Sequence, residues 1–200
     1  MLQWLQRNRI VVSRGFVLLF ILVVVTSRSR LEGTIAASLL FVLGLVLIGI
    51  ATVGRRWCSL YISGHKGDEL VTVGPYSLTR NPLYFFSLLG FSGVGFATEM
   101  LTLGVALTVF FAVVYPFIIR REEIELRAKF GAAFEVYAAR VPRFFPRFSG
   151  YVEPATWSVN TRLFRRTMTD VIWFVWLAAL IELIAAGREF GVITPLFSLP

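Results

Sequence analysis

Tyr76, Arg80, Asn81, Pro82 and Tyr84 fall within nine residues, in the run VGPYSLTRNPLY, and Glu122-Glu123 follow about forty residues later in RREEIELRAKF. Asn81-Pro82 reads as a helix start. Asparagine suits the cap, and proline suits the first turn, where no backbone donor is needed. Such a start presents unpaired N–H groups and a partial positive charge, which suits an anionic ligand. Arg80 stands beside it, and Tyr76 and Tyr84 flank it. The same residues also fit a plain capped helix with tyrosines and an arginine at a membrane interface, so spacing alone leaves both readings open. The second segment sets two carboxylates where an apolar run ends. Carboxylates at a bilayer edge are costly unless paired or used. Pairs such as Arg121 with Glu125 at i, i+4 would equally mark an ordinary charged interfacial helix.

Composition says what kind of elements must hold these groups. The chain has 200 residues, 56% of them apolar and only 16% charged, with a mean hydropathy of +0.73. A soluble domain carries about 25% charged residues, so the reading is one all-α, polytopic membrane domain over residues 1–200. A helical span needs about 20 apolar residues. Five candidates are expected at 10–26, 34–53, 83–97, 100–119 and 170–186, with Arg14 snorkelling near the start of the first.

Five spans place alternate connections on opposite sides. With the N-terminus inside, seventeen of the twenty Lys and Arg residues fall inside, and only Arg28, Arg30 and Arg188 fall outside. The positive-inside rule then sets the N-terminus in the cytosol and the C-terminus outside. The net charge of +8 is read as orientation and contact with anionic membrane lipids, not as a nucleic-acid footprint. One histidine and one cysteine exclude an internal disulfide, a cysteine zinc site and a His-rich metal cluster. No metal is expected. No cleavable leader is expected either, because arginines precede the first run and no convincing cleavage site follows it.

The long inner connections, 54–82 and 120–169, are where function is expected. Val73-Gly74-Pro75-Tyr76 reads as a tight turn. Gly131 reads as a helix break. Phe134, Tyr137 and Val141 at i, i+3, i+7 give a short amphipathic helix suited to lying on the membrane surface. His65 reads as a solvated loop residue and Cys58 as a small interfacial one. Gly90, Gly93 and Gly95 read as sites of close helix packing.

Taken together, LVTVGPYSLTRNPLY and RREEIELRAKFGAAFEVYAARVPRFFP resemble the isoprenylcysteine carboxyl methyltransferase family, within a wider group that includes phospholipid N-methyltransferases. The resemblance covers about residues 55–146. It implies methyl transfer from S-adenosyl-L-methionine in a cytosolic cofactor pocket built from inner loops and interfacial helices. A lipophilic acceptor would come in sideways from the bilayer. By position it implies cofactor contacts at Leu70 and Val71 through the backbone, and at Tyr76, Asn81, Pro82, Tyr84 and Glu122. Arg80 is the candidate for the cofactor's carboxylate, and Glu123 is a lesser cofactor contact than Glu122. Ile118 stands where eukaryotic members carry an acceptor-binding arginine, so Arg120 and Arg121 are the acceptor candidates, or else mark the inner face.

The leading expectation is carboxyl O-methylation of an isoprenylcysteine-like acceptor in a bacterial inner membrane. The alternatives are N-methylation of a phospholipid or amine and methylation of a small thiol. From other classes come a non-catalytic membrane module and an NADPH enzyme of the sterol-reductase type. Catalytic groups stay unknown, since such a displacement needs little or no general base.

Overall fold

A computed structural model of the chain describes residues 9–65 and 67–200, without the side chains of 9–14 and 168–171. Arg7, Lys66 and the snorkelling expected of Arg14 lie outside the described residues. The helices are α1 (Arg9–Thr26), α2 (Ile35–Ile62), α3 (Pro75–Leu78), α4 (Pro82–Phe96), α5 (Leu101–Phe130), α6 (Ala132–Arg140) and α7 (Thr161–Glu189). Two three-residue strands, β1 (Ser27–Ser29) and β2 (Phe197–Leu199), pair in parallel.

Among the described residues three helices, α2, α5 and α7, are long and apolar enough to cross a membrane, and no more than 25% of their apolar stretches is buried in the protein. The rest faces outward as stripes at helical spacing: Leu39, Val42 and Val46 on α2, Val105, Val109 and Val113 on α5, and Trp173 and Trp176 on α7. Apolar surface of this extent belongs in lipid. This is an integral membrane protein.

The other two expected spans are shorter apolar helices, 15–26 and 82–96. α4 has 15 residues, about 22 Å at 1.5 Å per residue, against a hydrocarbon core of about 30 Å. Its neighbours overshoot it. A Cβ on Gly44 would lie 2.5 Å from the Ala97 nitrogen, and one on Gly54 would strike the Phe86 ring. α2 and α4 therefore run antiparallel in close contact, and α2 continues past Pro82. Ser92 meets Thr108 at 2.8 Å, and Tyr84 meets Tyr115 with ring centroids 5.2 Å apart. On that register α5 runs a dozen or so residues beyond the start of α4, about 18 Å. The recess between these overhangs is where the site forms.

A core of Val24, Ile48, Val94, Ala97, Phe174, Ile181 and their neighbours binds α1, α2, α4 and α7 together. At the bundle end away from the recess, Leu196 N–H donates to the Thr26 carbonyl (2.7 Å) and Thr102 N–H to that of Pro200 (3.0 Å). Arg188 donates to the Ser27 carbonyl (2.8 Å). The strand pair and this tail were not expected from the sequence, where three-residue strands leave no periodicity to read.

Candidate active site

The turn at Val73-Gly74-Pro75-Tyr76 forms as expected. Gly74 sits at φ +59° with the Tyr61 ring against it, where a Cβ would be 2.4 Å from the ring, so only glycine fits. Pro75 then opens the single turn α3. Residues 147–152 hold it from behind: Gly74 N–H donates to the Val152 carbonyl (2.8 Å) and Arg147 N–H to that of Leu78 (2.9 Å).

Asn81 occupies the cap position of α4, but its side chain makes no cap hydrogen bond. Nδ2 donates instead to the Arg143 carbonyl (2.9 Å) and lies 3.4 Å from Glu123 Oε1. The cap expectation is corrected in that respect. The amide ties the second inner connection to the first, which leaves the first turn of α4 open to the recess.

Arg80 and Glu123 form an ion pair at 3.0 Å, their side chains 15% and 12% exposed. Arg143 reaches the other oxygen of Glu123 at 3.1 Å. Arg80 also donates to the Ala138 carbonyl (2.8 Å). The clamp Arg80–Glu123–Arg143 thus joins α4, α5 and the segment after α6, with most of its charge spent internally.

α5 ends where Gly131 takes φ +50°, the break expected there. α6 follows with Phe134 and Tyr137 buried, and Tyr137 Oη donates to the Tyr76 carbonyl at 2.7 Å. Its apolar face is covered by protein. The expected rest on the membrane surface is therefore corrected, because Phe134 and Tyr137 both pack inward and Tyr137 forms part of the cavity wall. Burial pushes the Tyr137 hydroxyl pKa up, so it acts as a neutral donor.

These elements enclose a cavity of about 460 Å³, within the ligand-site range of about 300–1,000 Å³. The candidates Leu70, Val71, Tyr76, Arg80, Asn81, Pro82, Tyr84 and Glu122 all line it. α5 contributes the stripe Glu122, Glu125, Leu126, Lys129 and Phe130, spaced i, i+3, i+4, i+7, i+8 and so on one face. Glu123 is turned about 100° away into the clamp. Arg120 and Arg121 are exposed and do not line the cavity; Arg121 pairs with Glu125 at 3.2 Å.

Glu122 makes no ion pair among the described residues, and the Tyr76 hydroxyl is buried with no hydrogen-bond partner. Tyr76 is 7% exposed, and burial, more than any charge nearby, holds its pKa well above the ordinary tyrosine value. It is a neutral hydroxyl with a hydrogen bond still to make.

Sequence reading passed over Arg55, Glu69, Ser87, Lys129 and Tyr137 as lining groups. Lys129 donates to the Gly67 carbonyl and draws the loop over the mouth. His65 is no solvated bystander. It bonds the Ser158 carbonyl (2.9 Å) and Glu69 (3.1 Å) and packs at a tilt against Trp157, 4.7 Å between ring centres. Cys58 is fully buried behind Val71 and Tyr76. No cluster of three His, Cys, Asp or Glu that could hold a metal ion occurs among the described residues.

A short apolar helix with a polar recess at its start, roofed by the overhang of its neighbours, defines a helical membrane protein with a cavity at one end of the bundle. The phospholipid methyltransferase family matches residues 31–133, a stretch that holds both clamp partners of α4 and α5 and most of the cavity. The chain belongs to that family. It is also similar to the cobalt-zinc-cadmium resistance protein CzcN of Cupriavidus metallidurans, 42% identical over 98% of this chain and 90% of that protein. The nickel-cobalt-cadmium resistance protein NccN of Alcaligenes xylosoxydans xylosoxydans is 38% identical over 93% of this chain and 87% of its own length. No solved structure matches.

Proposed function

We propose that this protein transfers a methyl group from S-adenosyl-L-methionine, bound in the cavity at the start of α4, to a lipophilic acceptor reaching it from the bilayer. The convergence of Leu70, Val71, Tyr76, Asn81, Pro82, Tyr84 and Glu122 on one cavity carries this reading, in a chain that belongs to the phospholipid methyltransferase family.

The donor set fits the cofactor. Glu122 is free to accept from an ammonium or ribose hydroxyls. The unpaired Tyr76 hydroxyl offers a hydrogen bond, and the Tyr84 ring offers a face to a sulfonium. Bound there, S-adenosyl-L-methionine supplies a methyl on a positively charged sulfur, which keeps the electron pair of the breaking carbon–sulfur bond. The protein's part is to position and to exclude water. The Arg80–Glu123–Arg143 clamp fixes α4 against α5, Tyr137 fixes the Tyr76 loop, and apolar walls keep the reacting end dry.

The acceptor we favour is a carboxylate on an isoprenylcysteine-like thioether, whose oxygen is already anionic and needs no base. The description of the family supports a second reading, an amine-bearing phospholipid. We place the cavity on the cytosolic face of a bacterial inner membrane, N-terminus inside and C-terminus outside, on the seventeen-to-three split of basic residues.

The test is purified protein in detergent with tritiated S-adenosyl-L-methionine and a panel of prenylcysteine analogues, phospholipids and small thiols. Tritium in an extractable product identifies the acceptor. Failure of every acceptor, with NADPH bound in place of the methyl donor, would instead support a reductase.

A further inference from the structure

Arg55 lies inside α2, seven residues before its end at Ile62, half-buried and turned toward Ser87 of α4 and Phe174 of α7. An arginine so placed in a spanning helix is costly unless something meets its charge. Its only side-chain hydrogen bond among the described residues is to Ser87 Oγ, on the facing turn of α4. The Ser87 hydroxyl in turn donates to the Leu83 carbonyl at 2.6 Å. The guanidinium packs 5.8 Å from the Phe174 ring centre. It forms no ion pair with any described carboxylate, and its Nε is buried with no hydrogen-bond partner.

Both Arg55 and Ser87 line the cavity. Ser87 is five residues into α4, whereas Glu69, Glu122 and Glu125 come from the loop and from the α5 overhang. The cavity therefore has two electrostatic ends. The overhang end mixes Glu69, Glu122 and Glu125 with Lys129 and Arg80, and of these carboxylates Glu122 alone makes no ion pair among the described residues. The buried end carries one uncompensated cation, next to apolar walls and the lipid-facing helices.

We propose that Arg55, with Ser87 beside it, is the acceptor subsite, and that it takes an anionic oxygen headgroup, carboxylate or phosphate, carried on an apolar tail. The assignment rests on the methyltransferase reading and narrows it. A planar guanidinium matches such a group by paired hydrogen bonds. The same charge repels a cationic amine brought to the buried end. Arg55 thus takes the part that the sequence reading gave to Arg120 and Arg121, which the cavity does not include.

The experiment uses the full chain in uncharged detergent and four single-chain probes, each with ten carbons in the chain counting any carboxyl carbon: decanoate, decyl phosphate, decanamide and decyltrimethylammonium. Binding is measured by thermophoresis below micellar concentrations, and S-adenosylhomocysteine is titrated separately. The expected result is that decanoate or decyl phosphate binds the wild type at least tenfold more tightly than the neutral and cationic probes. Whichever anion wins separates a carboxylate acceptor from a phosphate one. Arg55→Met should erase the preference, and Arg55→Lys should keep part of it. Both should bind S-adenosylhomocysteine within twofold of wild type.

Equal binding of all four probes by the wild type would overturn the proposal without any variant being needed. So would an Arg55→Lys or Arg55→Met protein that keeps the anion preference but loses tenfold in S-adenosylhomocysteine affinity, since Arg55 would then serve the cofactor. Wild-type protein that binds no S-adenosylhomocysteine at all would overturn the methyltransferase reading itself, and the acceptor assignment with it.

Discussion

Arg80 and Glu123 face one another at 3.0 Å across the junction of α4 and α5, and the neighbouring carboxylate, Glu122, is left to the cavity. Adjacent residues on a helix diverge by about 100°, so one glutamate holds the fold and the other stays available to a ligand. Glu123→Gln should then be a stability mutant. It leaves Arg80 largely buried without a counter-charge, which costs about 3 kcal/mol, at the low end for a broken buried pair because Arg143 stays half-exposed. Thermal unfolding in detergent should show a clear loss of Tm. An unchanged Tm would mean that water already solvates the Arg80 guanidinium.

Tyr76→Phe should do the opposite. Its hydroxyl is buried and unpartnered, and removing such a group relieves a desolvation cost of about 1–3 kcal/mol. The protein alone should become more stable, while S-adenosylhomocysteine binds less tightly. Tyr137→Phe, which breaks a made bond to the Tyr76 carbonyl, should cost about 1 kcal/mol. If both variants lose the same stability, the Tyr76 hydroxyl has a structural partner and the cofactor role falls.

How far the sequence was legible depends on how local each signal is. Asn81-Pro82, Gly74 and Gly131 are read by their own backbone needs, and all three sit at the expected breaks. Glu122 and Tyr84 were found because their motifs are contiguous. Arg55 follows the expected span 34–53 and reads there only as an orientation charge; its place two turns inside α2 shows only because the helix continues to Ile62. Asn81 bonding to the Arg143 carbonyl and Tyr137 to that of Tyr76 depend on pairings about sixty residues apart, which no periodicity encodes. The length of α4 was readable, but its consequence, a recess under longer neighbours, needed the helix register.

His65 makes the closing of the 157–158 segment sensitive to pH. Its pKa is raised above the ordinary 6.5, chiefly by donating to the Ser158 carbonyl, with Glu69 adding to the effect and partial burial opposing it. A group raised by folding stabilises fully below its unfolded value and loses that contribution as pH rises through the folded one. Limited proteolysis of this segment should therefore quicken as pH climbs above about 6.5. His65→Gln should flatten the profile. A wild-type rate that is level from pH 6 to 8.5, after correction for the protease, would remove the role.

The most direct measurement of the central claim is calorimetric titration of S-adenosylhomocysteine into wild type and Glu122→Gln, with Glu123→Asp as the control for the clamp. A cavity that holds the cofactor through Glu122 predicts binding to the wild type and a loss of about 1.5–3 kcal/mol in Glu122→Gln, the scale for a hydrogen bond to a charged group. Glu123→Asp should stay close to wild type in affinity. Wild-type affinity in Glu122→Gln, or no binding to the wild type, would contradict the account.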